Sequence, residues 1–227
     1  MKKIIAGIMC VLCACLLLVG CSKKGEKVNW NDRVNYYQTA YYGGTTTGLC
    51  AVVSCGVKEK DFVIDGEIGE TVPFCTLTLI PLTAESVKPA YNYVLVGENG
   101  KAEGALIKEI FGSAYYADIE KAEELGKIKS VCVTAGEEIS AEITLTDKMA
   151  EGLDYKAALE IAINECGDKL NAESADGKLP EISLRFAGDK RNSENPCYWY
   201  VTIASSVDDF MALLIDPKDG KVLTKKA

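Results

Sequence analysis

Between Leu49 and Thr146 the apolar residues come in short runs of period two, broken by turn chemistry, and that spacing restricts the stretch to antiparallel sheet. Successive side chains of a strand point to opposite faces, so each run offers one face to a core. The runs predict strands over Leu49–Val57, Phe62–Ile68, Val72–Leu82, Tyr91–Val96, Ala102–Ile110, Lys129–Val133 and Ile139–Leu145. Glu98-Asn99-Gly100-Lys101 predicts a tight hairpin, because Asn-Gly supplies the positive φ angles of a type I′ turn. Asp65-Gly66 suits a similar turn, and Ala117–Leu125 reads as a short helix stopped by Gly126.

Beyond Lys148-Met149-Ala150-Glu151-Gly152 the period becomes helical. Asp154 can cap an N-terminus, and Tyr155, Ala158, Leu159, Ala162, Ile163 and Cys166 share one face before Gly167 ends the run. Strands follow at Ile182–Phe186, Cys197–Ile203 and Phe210–Ile215, and Asp216-Pro217-Lys218-Asp219-Gly220-Lys221 turns the chain into Val222-Leu223. The expected fold is therefore α+β, with a β-rich N-terminal domain over residues 30–149 followed by a small helix-on-antiparallel-sheet domain over residues 150–227.

That last segment resembles a known family. The helix Tyr155 to Cys166, the strand Tyr198-Trp199-Tyr200-Val201-Thr202-Ile203 and the ending Leu213-Leu214-Ile215-Asp216-Pro217-Lys218-Asp219-Gly220-Lys221-Val222-Leu223 look like a PepSY domain. Members of that family are small helix-on-sheet modules, found in propeptides of thermolysin-type metalloproteases and in exported or membrane-attached bacterial proteins. The resemblance implies peptide binding or peptidase inhibition, with no catalytic motif to carry across. It covers residues 150–227 and does not extend into residues 30–149.

The start of the chain carries an address. Lys2 and Lys3 precede an apolar run from Ile4 to Val19, which ends on Leu18-Val19-Gly20-Cys21 before Ser22-Lys23-Lys24 turns polar. This is the order of an export signal, and the run falls short of the roughly 20 residues that a spanning helix needs. The four residues Leu18 to Cys21 resemble the lipobox of bacterial lipoproteins. That resemblance implies cleavage after residue 20, lipidation of Cys21 and anchoring to the membrane of the cell envelope by several acyl chains. Residues 1–21 then form the signal peptide and residues 22–29 a polar tether.

The full chain carries a formal charge of −8, and residues 1–21 contribute two lysines and no acid, so the mature chain is more acidic still. No basic stripe is left for a phosphate backbone, which argues against nucleic acid as a partner. The chain has no histidine, which removes Ser-His-Asp and Cys-His nucleophile systems and histidine-ligated zinc. Asp208-Asp209, Glu123-Glu124 and Glu137-Glu138 are adjacent acids, but neighbours diverge on either a strand or a helix and build no carboxylate pair for glycoside cleavage. Gly43-Gly44-Thr45-Thr46-Thr47-Gly48 lacks the lysine of a P-loop, and Asp216–Gly220 lacks the terminal glutamate of a calcium loop. No catalytic residue, metal or cofactor is expected.

Export permits disulfides among Cys50, Cys55, Cys75, Cys132, Cys166 and Cys197. A Cys50–Cys55 bridge is one reading; Cys75 and Cys132, inside strand-like runs, read as easily as small buried hydrophobes. Two aromatic groups are candidates for binding. Trp30, Tyr36, Tyr37, Tyr41 and Tyr42 either form a surface or dock the chain's entry onto the sheet. Tyr198, Trp199 and Tyr200 share a strand whose alternation sends the two tyrosines to one face and Trp199 to the other. These features point to non-catalytic binding at the envelope, with an extended peptide adding to an edge of the C-terminal sheet beside the tyrosines. The alternative is a structural or assembly factor acting through residues 30–149.

Overall fold

The computed structural model describes residues 28–61, 63–137, 139–177, 179–188 and 196–226. The signal segment, Cys21 and the start of the tether lie outside the described residues, as does Glu138.

Two hairpin-rich stretches are joined through one long strand. In chain order the strands are β1 (Val34–Thr46), β2 (Leu49–Glu59), β3 (Thr71–Pro81), β4 (Tyr91–Gly97), β5 (Lys101–Lys108), β6 (Tyr115–Asp118), β7 (Ile128–Ala135), β8 (Ile139–Thr144) and β9 (Thr146–Asp147). The helix α1 (Tyr155–Ala175) follows, then β10 (Glu181–Ala187), β11 (Tyr198–Ala204), β12 (Phe210–Ile215) and β13 (Val222–Lys226). Neighbours in the sheet run β13-β12-β11-β10-β1-β2-β3-β6-β5-β4-β7-β8, with β9 paired to β1. The expected α+β layout with a distinct β-rich domain is therefore corrected to a mostly β fold, a single mixed sheet of thirteen strands with one α-helix among the described residues. The reason is a parallel pairing of β1 with β10, through Val34–Ile182, Tyr36–Ser183 and Tyr37–Leu184, which makes the C-terminal strands an extension of the first sheet.

β1 forks along one edge. Its first half pairs with β10, and its second half pairs antiparallel with β9 at Tyr42–Asp147 and Gly43–Thr146. The second pairing closes strands β1 to β8 on themselves into a barrel. At the fork the Phe186 backbone N–H donates to the Gln38 side chain, and the Lys148 N–H donates to the Tyr41 carbonyl at 2.8 Å, so diverging strands keep their hydrogen bonds. Closure brings the Thr144 carbonyl within 2.0 Å of where a Cβ on Gly44 would stand. Gly44 thus serves strand contact, and Gly48, at φ 86°, makes the turn into β2.

The parallel junction is tied by a buried polar group. Glu181, 2% exposed, accepts from Asn35 Nδ2 at 2.8 Å and from the backbone N–H groups of Asp65 and Gly66 at 3.0 and 2.9 Å. Ser183 Oγ donates to Asn35 Oδ1 at 2.7 Å, and Arg33 donates to the carbonyls of Gly66 and Leu179. A buried carboxylate is tolerated where several N–H donors replace water. The segment expected as a strand at Phe62–Ile68 is a loop over its described residues 63–68, where the Asp65 and Gly66 N–H groups donate to Glu181 and the Glu67 N–H to Asp65 instead of to a neighbouring strand.

Two cores result. Inside the barrel pack Leu49, Ala51, Val53, Leu77, Leu79, Tyr91, Leu95, Tyr115, Val131, Val133 and Ile143. The second core lies under α1, where Ala158, Leu159, Ala162, Cys166 and Leu170 meet Ile182, Leu184, Phe186, Trp199, Val201, Ile203, Met211, Leu213 and Ile215. Tyr41, Cys50, Val52 and Ile80 from β1 to β3 join this second core. Asp154 caps α1 by accepting from the Ala157 N–H at 2.9 Å. The helix runs through Gly167 to Ala175 because Leu170, one turn on, is fully buried. Ala117–Leu125 is not a helix: Tyr115, Ala117 and Ile119 alternate into the barrel, and only Ala122–Leu125 winds, as a 3-10 turn.

The Glu98–Lys101 hairpin forms, but neither Asn99 nor Gly100 takes a positive φ, so its turn is not type I′. The Glu98 and Asn99 N–H groups donate to the carbonyls of Lys127 and Leu125, each at 3.0 Å, and this tertiary pairing sets the turn. The prediction for the closure is direct: Gly44→Val should lower unfolding free energy in urea by about 3 kcal/mol, since a backbone carbonyl cannot retreat as a side chain can. An unchanged midpoint would mean that β8 does not lie against β1.

Candidate functional site

A cavity of about 530 Å³ opens between β1, β2 and β3 on one side and the β6–β7 connection on the other. Tyr42, Ile119 and Ile128 reach it from the barrel core, Pro73 and Phe74 form one wall, and Lys58, Lys121, Asp118, Glu120 and Glu123 stand around it. Asp118 is held by the Thr76 hydroxyl, which donates to it at 2.8 Å. Lys121 sits at φ 51°, a left-handed angle rare outside glycine, where the chain leaves β6 for the 3-10 turn.

Cys55 and Cys75 also line the cavity and are joined by a disulfide across directly opposed positions of β2 and β3. The Cys50–Cys55 bridge read from sequence does not form. The two residues lie on opposite faces of β2, Cys50 in the core under α1 and Cys55 against the barrel core, about 16 Å apart along the strand. Burial pushes the thiols of Cys166 and Cys197 above their usual range, which suits packing rather than nucleophilic roles.

Phe74 and Lys58 extend the cavity into a row that crosses the sheet. The Lys58 ammonium lies 5.8 Å from the centroid of the Phe74 ring, which stacks on Tyr36 at 5.1 Å. The Arg185 guanidinium covers the other side of the row, 5.0 Å from the Tyr36 centroid. Tyr36 pairs with Lys58 across β1 and β2, and Arg185 pairs with Tyr200 across β10 and β11, so sheet register aligns the residues on one face. Burial raises the Tyr36 phenol above its usual value, and Arg185 offsets part of that rise.

The three C-terminal aromatics are thereby separated. Tyr200, 38% exposed, ends the row, and Tyr198 is half-buried. Trp199 is fully buried under α1, where its indole N–H donates to the Leu153 carbonyl at 2.8 Å. Their strand lies between β10 and β12, so the tyrosines offer a face and not an edge; β13 is the outer strand on that side. Of the N-terminal cluster, Tyr37 stacks on Tyr155 of α1 at 4.1 Å, Tyr41 packs against Phe186 in the core under α1, and Tyr42 faces into the barrel. Tyr36 is the member that reaches the row. Phe74, Lys58 and Arg185 were not singled out by sequence, because the row runs perpendicular to the strands and no local spacing encodes it.

The acidic motifs are spent locally. Asp216 and Asp219 accept from the N–H groups of Lys218 and Lys221 and so build their own turn, with Gly220 at φ 74°. Asp209 meets Lys169 at 3.5 Å while Asp208 is exposed, and Glu124 meets Lys121 at 3.8 Å. No helix among the described residues is long and apolar enough to cross a membrane.

Compared with known proteins, the chain matches no family model, no curated protein and no solved structure.

Joining Cys55 to Cys75 closes a chain loop with a sequence separation of 20. Removing a crosslink of that span should cost about 3 kcal/mol, by releasing entropy to the unfolded chain. Calorimetry with and without a thiol reductant, and of the Cys55→Ala/Cys75→Ala double variant, checks it; equal melting temperatures would show that the bridge does not form in solution.

Proposed function

We propose that this chain is a lipid-anchored, non-catalytic binding protein of the bacterial cell envelope, and that it binds peptide at the cavity and the aromatic row. The observation that supports the reading is the continuity of the two: Phe74 and Lys58 belong both to the cavity wall and to the row. Stacked rings flanked by a half-buried Lys58 and an exposed Arg185 give an extended ligand several contacts without a deep cleft. The lipobox at Leu18–Cys21 supplies the address, through lipidation of Cys21, and the PepSY resemblance of residues 150–227 supplies the prior for peptide binding or peptidase inhibition. The lack of histidine and the local use of Asp216, Asp219 and Asp209 favour binding over catalysis.

A different surface supports the second reading, a structural or assembly role through residues 30–149. The connection from β5 to β6 carries Ile110 and Phe111 at 89% and 101% exposure, with Ile107 beside them at 59%. An aromatic and two isoleucines on one hairpin tip are unusual for a surface with no partner.

The two readings separate in one experiment. The mature lipidated protein in nanodiscs is screened against a peptide library, alongside Phe74→Ala and Phe111→Ser. Under the first reading Phe74→Ala should weaken the best peptides about tenfold, the loss of an aromatic contact worth roughly 1.4 kcal/mol, while Phe111→Ser leaves them unchanged. Absence of any peptide binding would overturn it.

A further inference from the structure

We propose that a bound peptide leaves the cavity across the helix-free face of the C-terminal sheet, and that this face selects acidic side chains; the proposal rests on the peptide-binding reading above. α1 covers one face of β10 to β13, where Leu184, Trp199, Val201, Met211 and Leu213 are buried. Alternation puts Arg185, Tyr200, Thr202, Leu214 and Lys226 on the other face. Register carries that face on from the aromatic row. Tyr36 pairs with Ser183, Ser183 with Thr202, Thr202 with Ala212 and Ala212 with Lys226, one line across β1 and β10 to β13. Small side chains form its middle, Tyr36 and Phe74 join one end to the cavity, and Lys226 stands at the other. Arg185, Tyr200 and Leu214 form a second line alongside.

Charge names the occupant. Within β10 to β13 Glu181 is the one acid, and it is buried and bonded to Asn35, Asp65 and Gly66. Asp209, beside Phe210, meets Lys169 of α1. The face therefore carries the cations Arg185 and Lys226 and no exposed carboxylate, in a chain whose net charge is −8. Neither cation is ion-paired among the described residues. The Lys226 ammonium lies 4.7 Å from the Phe210 centroid, as the Arg185 guanidinium lies over Tyr36. A ring supports a cation without neutralising it, so both charges remain for a ligand. An extended peptide lays every second side chain on the face, and acids at alternate positions reach it together. Other occupants fit less well. A second copy would set Arg185 and Lys226 against like charges. A bilayer takes apolar side chains that protrude, as Ile110 and Phe111 do elsewhere, whereas Tyr198, Phe210 and Leu214 are half-buried.

The test uses the mature lipidated protein in zwitterionic nanodiscs and fluorescence polarisation. Its probe is the tightest uncharged peptide of the library screen, carrying Glu-Thr-Glu-Thr, Gln-Thr-Gln-Thr or Lys-Thr-Lys-Thr at either end. At one end the Glu tail should bind about fivefold more tightly than the Gln tail and the Lys tail more weakly, and the differences should shrink as salt rises from about 50 to 500 mM. Lys226→Gln and Arg185→Gln should each cut the Glu-over-Gln ratio about twofold, whereas Lys218→Gln, in the turn before β13, should not move it. Hydroxyl-radical oxidation of Tyr200 and Phe210 should fall when the Glu-tailed peptide is added, and that of Phe111 should not. The tail and salt series need no variant, so they stand even if a substitution disturbs folding. A ratio of one at both ends, or a ratio that neither variant lowers, overturns the proposal and leaves peptide binding standing. Protection of Tyr200 and Phe210 by nanodiscs of anionic lipid, with no peptide present, gives the face to the bilayer and overturns it as well. If no library peptide binds, the peptide-binding reading and the proposal fall together.

Discussion

Everything in this molecule hangs on the two neighbours that β1 takes along a single edge. Its first half is paired with β10 and its second half with β9, so one strand both closes the barrel and carries the C-terminal sheet. A strand cannot offer one edge to two partners without a point of divergence, and divergence exposes backbone donors. Gln38 answers that cost by accepting from the Phe186 N–H, and Tyr41 by accepting from the Lys148 N–H. The Glu181, Asn35 and Ser183 group then holds β10 in parallel register beside β1. Apolar residues at that junction would pack but would not choose between registers, whereas a carboxylate with three N–H donors has one arrangement that satisfies it.

The same fork explains where the two faces of β1 go. Tyr41 enters the core under α1 and Tyr42 enters the barrel, so consecutive residues are buried in different cores. The sheet is therefore covered on both sides over part of its area, and the usual alternation of apolar and polar residues is lost there. Gly43 and Gly44 continue the strand at the place where β8 and β9 come closest. The small size of Gly44 is a packing requirement of barrel closure, and no phosphate needs to be invoked.

How much of this could be read from sequence follows from that double burial. Period-two runs with one buried face were legible: β2, β3, β4, β5, β7 and β8 lie where alternation placed them, give or take their ends. β1 was not, because Trp30 to Tyr42 shows aromatics without an aliphatic stripe, and aromatic and threonine residues favour strands only through the neighbours they meet. The C-terminal end of α1 was misplaced at Gly167 because a glycine weakens a helix by only about 1 kcal/mol, less than Leu170 gains from burial. The separate α+β unit expected from sequence does not form, because segments that are distinct along the chain share one sheet. A parallel pairing between residues as far apart as Tyr36 and Ser183 leaves no mark in any local window.

The candidate site was legible only in fragments for a related reason. Tyr200 was visible as part of an aromatic strand and Tyr36 as part of a cluster, but their relation passes through Arg185, on a third strand. Rows across a sheet are assembled by register, and register here is fixed by the polar junction below the row. Arg185 lies two residues from Ser183 on the same face, and Tyr36 is the residue after Asn35. A slip of one residue between β1 and β10 would turn the guanidinium away from the tyrosine ring and break the Ser183–Asn35 bond together. The interactions that stabilise the sheet junction are thus the ones that align the exposed row, and a substitution at Asn35 or Glu181 reaches the surface through register rather than through contact.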